Sequence, residues 1–525
     1  MSPPVTRQPT VQQRPAVKPA GNAVLYWLIG GSLAGIVMLA LGTIAYMSNV
    51  RNGKELGDNG QKVLKQNVQF HAPHETSEHD KAIEKGVAYL KKRMEQEELL
   101  YYYGRSGGPH VGAAALAGLT LLECNVPPTD PAVIKAKNVV EAHQDKLTFT
   151  YSVALSVLFL DVLSQKTSSK TEKANYRDLI RIYSSQLLAS QQPGGGWSYD
   201  SPTLNGLERQ KLLRDIANKS FQPGDFQTER GTPLYYDNSI AQFATLALWA
   251  ARKYDIPVTD ALLLEERRYR DHQLDDGSWN YRDEIKVSVD NKQLVLHKAV
   301  TTQRDATTCA GLIGLAIGRA VLLEGKEKAD PKNARKEKFD ITKADPQVRK
   351  ALKFMGGIVG MKDKLTPAQK SNRRNFTTKF DKVQKQVYEA KKEELGSLKQ
   401  KLDELDEDEL ATGILFGSDA WGDLYLLWCI ERMAVVYDLH QIDGKDWFGW
   451  GSQVILKNQQ SDGSWRERFP GVPDTCFALL FLKRANVVQD LTDKLRMWRA
   501  SLENRGPVLR NPVFPQPAFP PSREV

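Results

Sequence analysis

The sequence predicts an all-α protein in which six helices, apolar on nearly every side, alternate with six amphipathic ones. That is the pattern of an α/α barrel with an inner and an outer ring. Three observations carry it. Helical periodicity dominates residues 79–505, and strand signals are rare. Apolar and amphipathic stretches alternate along that span. A seven-residue pattern, Gln-x-x-x-Gly-x-Trp, recurs three times: Gln191 with Gly195 and Trp197, Gln273 with Gly277 and Trp279, Gln459 with Gly463 and Trp465. An internal repeat of this kind speaks to architecture before any propensity does.

Residues 1–22 are rich in Pro and Gln and read as a disordered polar tail. Residues 23–47, AVLYWLIGGSLAGIVMLALGTIAYM, hold no charge, and about 20 apolar residues cross a bilayer core. Tyr26, Trp27 and Tyr46 lie near the ends, where amphipathic rings favour the interface. The segment is too long for a cleaved signal peptide, and it reads as an uncleaved signal anchor into the lipid bilayer. Basic residues flank it on both sides: Arg7, Arg14 and Lys18 before, Arg51, Lys54, Lys62 and Lys65 after. With charge silent, the expectation is that of an N-terminal anchor: a short tail inside and the large domain extracytoplasmic. Residues 48–78 form a polar linker, and 506–525 hold too much proline for a helix.

Within 79–505 the amphipathic stretches fall near 81–94, 131–142, 174–190, 258–271, 346–358 and 446–458. The apolar ones are 112–123, 151–163, 238–251, 307–320, 424–437 and 474–485. A helix apolar all round is buried on every side, so these form the inner ring. The three Gln-Gly-Trp copies fall in outer-to-inner connections, at one end of the barrel. Degenerate versions are expected around 101–108 and 144–150. The fifth pair lacks the motif and carries instead a charged insert, about 360–412, read as a solvated helix or a docking helix for a protein partner.

The net charge of +9 is spread along the chain with acidic neighbours, so no nucleic-acid footprint stands out. Cys124, Cys309, Cys429 and Cys476 each sit in an apolar stretch and read as small buried hydrophobes. No P-loop, dinucleotide fingerprint, HExxH or GxSxG is present.

The three Gln-Gly-Trp motifs and the six-pair count resemble the squalene–hopene cyclase and protein prenyltransferase superfamily of α/α toroids, across most of 80–505. The run from Asp423 to Asn486 is similar to bacterial squalene-cyclase-like and prenyltransferase-like proteins. The resemblance implies that Gln and Trp tie successive outer helices together, and that an active site lies at the inner-helix starts. It also implies a D-x-D-D acid, which this chain lacks. The nearest approach, Asp406 to Glu409, sits in the charged insert, where solvated carboxylates are poor alkene-protonating acids. The family's zinc-binding Asp-x-Cys matches Asp474 and Cys476, but no His follows His440 to complete the set. Asp305 with Cys309 repeats the residue types without a third ligand.

Asp237, Asp305, Asp423 and Asp474 lie at or near inner-helix starts, where Asp is a favoured N-cap contributing about 0.5–2 kcal/mol. Capping outweighs catalysis for each; the sharper alternative has all four lining one mouth and binding a cation or polar head. Glu431 and Arg432 break an otherwise apolar helix and form a buried pair or face a central cavity. His71, His74 and His79 read as solvated linker, and Tyr101–Tyr103 and Tyr235–Tyr236 as packing between helix ends. Catalytic candidates are therefore Asp474, Asp305, Asp237 and Glu431; zinc, through Asp474 and Cys476, is the one cofactor the residues raise. Two functions remain: a membrane-tethered toroid that binds a lipid, glycan or protein without cyclase activity, or an enzyme acting on an isoprenoid or other lipid in the barrel cavity. A glycan-processing α/α barrel has little residue-level support.

Overall fold

Outer and inner helices alternate in six pairs through the computed structural model. It describes residues 77–95, 109–144, 146–224, 237–281, 285–290, 293–298, 304–330, 340–361, 423–467, 469 and 471–503, with isolated residues between 371 and 382. The first pair is α1 (Glu78–Glu95) and α2 (Pro109–Glu123), the second α3 (Pro131–Ala142) and α4 (Thr150–Lys166). Next come α5 (Lys170–Ser190), a surface helix α6 (Gly206–Ala217) and α7 (Asn238–Ala251). The fourth pair, α8 (Thr259–His272) and α9 (Asp305–Ala329), is split by an antiparallel ribbon of β1 (Ile285–Asp290) and β2 (Gln293–Lys298). After the short α10 (Ile341–Ala344) follow α11 (Pro346–Ile358), α12 (Leu424–Val436), α13 (Trp447–Asn458), α14 (Pro473–Lys483) and α15 (Gln489–Glu503).

Local chemistry sets these boundaries. Asp130 caps α3 and Asp345 caps α11, each followed by Pro at the first helical position, where a missing N–H costs nothing. Asn205 and Glu208 form a capping box at α6. Ser169 and Asp446 cap α5 and α13.

The inner helices pack on one another in sequence: α2 on α4, α4 on α7, α7 on α9, α9 on α12, α12 on α14, and α14 back on α2. This closed cycle explains their composition. Each has a neighbour on both sides and outer helices behind, so almost no position meets water; from Thr150 to Ser164 every residue but Tyr151 is buried. The outer helices back onto the ring: α3 on α2, α5 on α4 and α7, α8 on α9, α13 on α12 and α14, and α1 on α14 and α2. Most bury a single stripe, as in α11, where Val348, Ala351 and Met355 lie inward at helical spacing; α5 is also buried on every side from Tyr183 to Ala189.

The repeated motif acts as a clasp between outer helices. Gln191, Gln273 and Gln459 each occupy the C-cap of their outer helix. Gln191 Nε2 donates to the Gly195 carbonyl (2.7 Å) and to Ala261 O of α8 (2.9 Å). Gln273 Nε2 donates to Gly277 O (3.0 Å) and to Gln347 O of α11 (2.9 Å). Gln459 Nε2 donates to Gly463 O (3.1 Å) and to Ala82 O of α1 (2.9 Å), so the last clasp closes on the first outer helix. The tryptophans reach back: Nε1 of Trp197, Trp279 and Trp465 donates to Leu187, Tyr269 and Ile455 O, each ten residues earlier.

Glycine is required for two reasons at once. Gly195, Gly277 and Gly463 have φ of +101°, +92° and +89°, where a side chain is strained. A Cβ there would also strike the backbone of the next outer helix, at 2.8 Å from Leu264 O, 2.5 Å from Lys350 C and 2.4 Å from Lys85 O. At the second connection the expected degenerate copy is replaced by a reversed tie: Gln186 of α5 reaches back to Leu147 O (3.2 Å) and Pro202 O (3.1 Å). The degenerate copy expected at 101–108 lies outside the described residues.

Four elements lie outside the predicted pattern: α6, α10, α15 and the β-ribbon, whose IKVSVD alternates with period two while QLVLHK carries three apolar residues in a row. His79 is not linker but lies in the first turn of α1, its ring stacked on Phe448 at 6.0 Å. The anchor at 23–47, both tails, His71, His74, Tyr101–Tyr103, Tyr235–Tyr236 and nearly all of the insert lie outside the described residues. Among the described helices, α9 is long and apolar enough to cross a membrane by length and composition, yet 89% of its apolar window is buried inside the protein. Its place in the cycle, between α7 and α12, accounts for that composition.

Candidate functional site

Two of the four aspartates at inner-helix starts are caps. Asp237 Oδ1 accepts the N–H groups of Ser239 (2.9 Å) and Ile240 (3.1 Å). Asp423 Oδ1 accepts those of Tyr425 (2.9 Å) and Leu426 (3.4 Å). The expectation fails for the other two. Arg304 holds the N-cap of α9, leaving the half-buried Asp305 within the first turn. Asp474 follows the N-terminal Pro473 of α14 and turns away from its own helix: Oδ2 accepts from Glu467 N (2.6 Å) and Phe469 N (3.0 Å), pinning the loop after Trp465.

Asp237 is fully buried, and burial raises its pKa. The hydroxyls of Tyr281 and Tyr199, bonded to each other at 2.9 Å, face the carboxyl and partly offset that rise, as do its two backbone bonds. Its position links neighbouring connections: its N–H donates to Trp197 O, and that of Asn238 to Tyr281 O.

Deeper in the ring, aromatic and polar side chains from α4, α7, α12 and α14 meet. Tyr151 donates to Ser239 Oγ (2.9 Å), and Ser239 in turn shares a short bond with the Tyr425 hydroxyl. Gln242 Nε2 donates to Tyr425 (3.0 Å) and to Cys429 Sγ (3.5 Å), which also accepts from Arg432 Nη2 (3.4 Å). Burial holds the Tyr151, Tyr425 and Cys429 pKa values high, so these groups are uncharged. Phe243, Trp428 and Phe477 pack among them, Trp428 stacking on Phe477 at 4.8 Å.

Arg432 is the exceptional member. It is 3% exposed. Its guanidinium lies 3.6 Å from the Trp428 ring centroid and 4.9 Å from that of Phe243. Nε and Nη1 have no hydrogen-bond partner among the described residues. The neighbouring Glu431 is fully buried, and desolvation lifts its pKa well above the usual carboxylate range against the pull of Arg432. Two other buried charges meet ionic partners. Arg268 meets Glu265 through two bonds, at 2.8 and 2.9 Å, and also reaches Asn238. Asp161 takes Lys253 (2.8 Å) and Tyr254 (2.7 Å).

The zinc candidates do not gain a third partner. Cys476 is buried, with Thr120 beside its thiol, and burial pushes its pKa up, which disfavours the thiolate a metal needs. Cys309 faces the Met355 sulfur at 4.0 Å rather than a ligand set with Asp305. Among the described residues no three His, Cys, Asp or Glu side chains converge on one point. One pair of histidines does meet: His110 at the start of α2 and His143 at the C-cap of α3, with Nε2 atoms 3.1 Å apart. Burial lowers the His110 pKa to about 4.

The sequence pointed to the Glu431–Arg432 pair but not to its surroundings. Ser239 and Gln242 are legible as polar breaks in an apolar helix; that Tyr425 and Cys429, over 180 residues away, answer them is not. Neither a family model nor a curated protein matches the chain.

Proposed function

We propose that the chain is a membrane-tethered α/α toroid of the squalene–hopene cyclase and prenyltransferase kind. In this reading its interior holds a lipid-type ligand by an anionic group and performs no cyclisation. The closed cycle of six helices and the three outer-helix clasps support the toroid. The span 23–47 would anchor it, with the toroid on the extracytoplasmic side.

Arg432 carries the ligand reading. A permanent cation, buried between two aromatic rings with two donors unmet and beside a carboxyl that burial drives towards its neutral form, calls for the counter-charge that buried ions require. A phosphate or carboxylate head supplies it, while Tyr151, Phe243 and Phe477 receive an apolar body. A neutral glycan would stack on the same rings but bring no anion. The test is untargeted mass spectrometry of lipids that co-purify with the full chain and with Arg432→Met. An anionic lipid should accompany the wild type and be lost from the variant. Retention of the same lipid by Arg432→Met refutes the reading.

One observation favours an enzyme instead: Glu431 is an acid kept protonated in a dry interior, as a proton donor must be. Turnover of an isoprenoid by wild type, abolished in Glu431→Gln, would establish it.

A further inference from the structure

Independently of that reading, we infer that His110 and His143 form a two-histidine site for a borderline divalent metal ion of the Zn²⁺, Cu²⁺ or Ni²⁺ class, at the junction of α2 and α3. The two residues are 33 positions apart, and the fold brings Nε2 of each within 3.1 Å of the other. Two imidazole nitrogens on one such ion, each about 2.0–2.1 Å from it, stand about 2.9 Å apart at a right angle and about 3.3 Å apart at a tetrahedral one. The observed separation falls between. The rings meet nearly edge to face, at 78° with centroids 4.8 Å apart.

His143 is already in the ligand tautomer. Its Nδ1 lies 2.8 Å from the Val139 carbonyl, which can only accept, so the proton sits on Nδ1 and the Nε2 lone pair points at His110. The backbone holds it there: His143 is the C-cap of α3, its N–H bonded to Val140 O, and its carbonyl accepts Lys146 N. His110 is carried by the first turn of an inner helix. In the metal-free chain His110 Nε2–H donates to His143; metal binding moves that proton to Nδ1 and leaves both lone pairs on the ion. Neither nitrogen needs to move far, so little ordering cost opposes binding. Imidazole donors suit Zn²⁺, Cu²⁺ and Ni²⁺, and water would complete the coordination.

The test uses the full chain in detergent, without an affinity tag. In 100 µM Zn²⁺ the melting temperature should rise by about 2 °C or more, because an ion that binds only the folded state stabilises it. The rise should vanish in His110→Ala and in His143→Asn. Stoichiometric Cu²⁺ should give an electron paramagnetic resonance spectrum with two equatorial imidazole nitrogens. That measurement needs no variant and survives if one fails to fold. Loss of the signal in a His71→Ala/His74→Ala chain instead would move the ion to the segment before α1. Loss in Cys476→Ala would move it to the start of α14. Either result, or a spectrum with fewer than two nitrogens, overturns the site.

Discussion

Replacing Gly463 with alanine should open the ring where its ends meet. Gly463 has φ +89°, and an alanine there costs about 1–2 kcal/mol in backbone strain. The new Cβ would also sit 2.4 Å from Lys85 O and 2.7 Å from Lys85 C, about 1 Å inside normal contact. Both atoms are backbone, so α1 itself must retreat. Overpacking of this kind costs about 1–3 kcal/mol. Retreat also stretches the Gln459 bond to Ala82 O. A total near 3 kcal/mol, concentrated on α1, raises its opening equilibrium about 100-fold. Hydrogen exchange read by mass spectrometry should show that acceleration in peptides from 78–95 and little change in α4 or α5. Gly206→Ala is the control: nothing lies within 4 Å of the added carbon, and the replacement should be neutral or slightly stabilising. Unchanged protection of α1 in Gly463→Ala would refute the clasp as what closes the cycle.

Three further outcomes are expected. Burial holds Glu431 protonated in the folded state above its ordinary value of 4.5, so its contribution to stability is full below that value and falls as pH rises towards the folded-state pKa. Glu431→Gln should therefore match the wild type near pH 4.5 and exceed it increasingly above, by about 1.4 kcal/mol per pH unit until the folded-state pKa is reached, in melting curves taken upward from pH 4.5; a constant difference would refute this. Asp474→Ala orphans the buried amides of Glu467 and Phe469 and should cost about 2–5 kcal/mol in chemical denaturation, whereas a cost below 1 kcal/mol would show the loop is held otherwise. Arg432→Met should raise the melting temperature of the ligand-free protein, since an apolar replacement for an uncompensated buried charge stabilises by about 1–4 kcal/mol; a large loss would mean the arginine is structurally paired.

The helix pattern was legible because it depends on local periodicity. The stretch 131–142 and the stretch 346–358 coincide with α3 and α11, and 238–251 with α7, since caps and prolines mark their ends within one or two residues. The ribbon at 285–298 is weakly marked in the sequence, because only its first strand alternates and the second carries Leu294, Val295 and Leu296 in a row. Asp305 and Asp474 were expected to cap their helices, but a cap is a matter of which backbone amides face the carboxyl. Asp474 found those of Glu467 and Phe469 in the preceding loop.

By itself, then, the sequence determined the helices, their alternation and the Gln-Gly-Trp repeat, all of which follow from residue type and spacing. Tertiary structure decided what those residues meet. It sent Gln459 to a carbonyl 377 residues away, left two Arg432 donors without a hydrogen-bond partner, raised the Glu431 pKa by burial, and set His110 against His143. The reason is physical: a hydrogen bond, a charge pair and a pKa depend on distances of a few ångströms and on exclusion of water, and neither is encoded in separation along the chain.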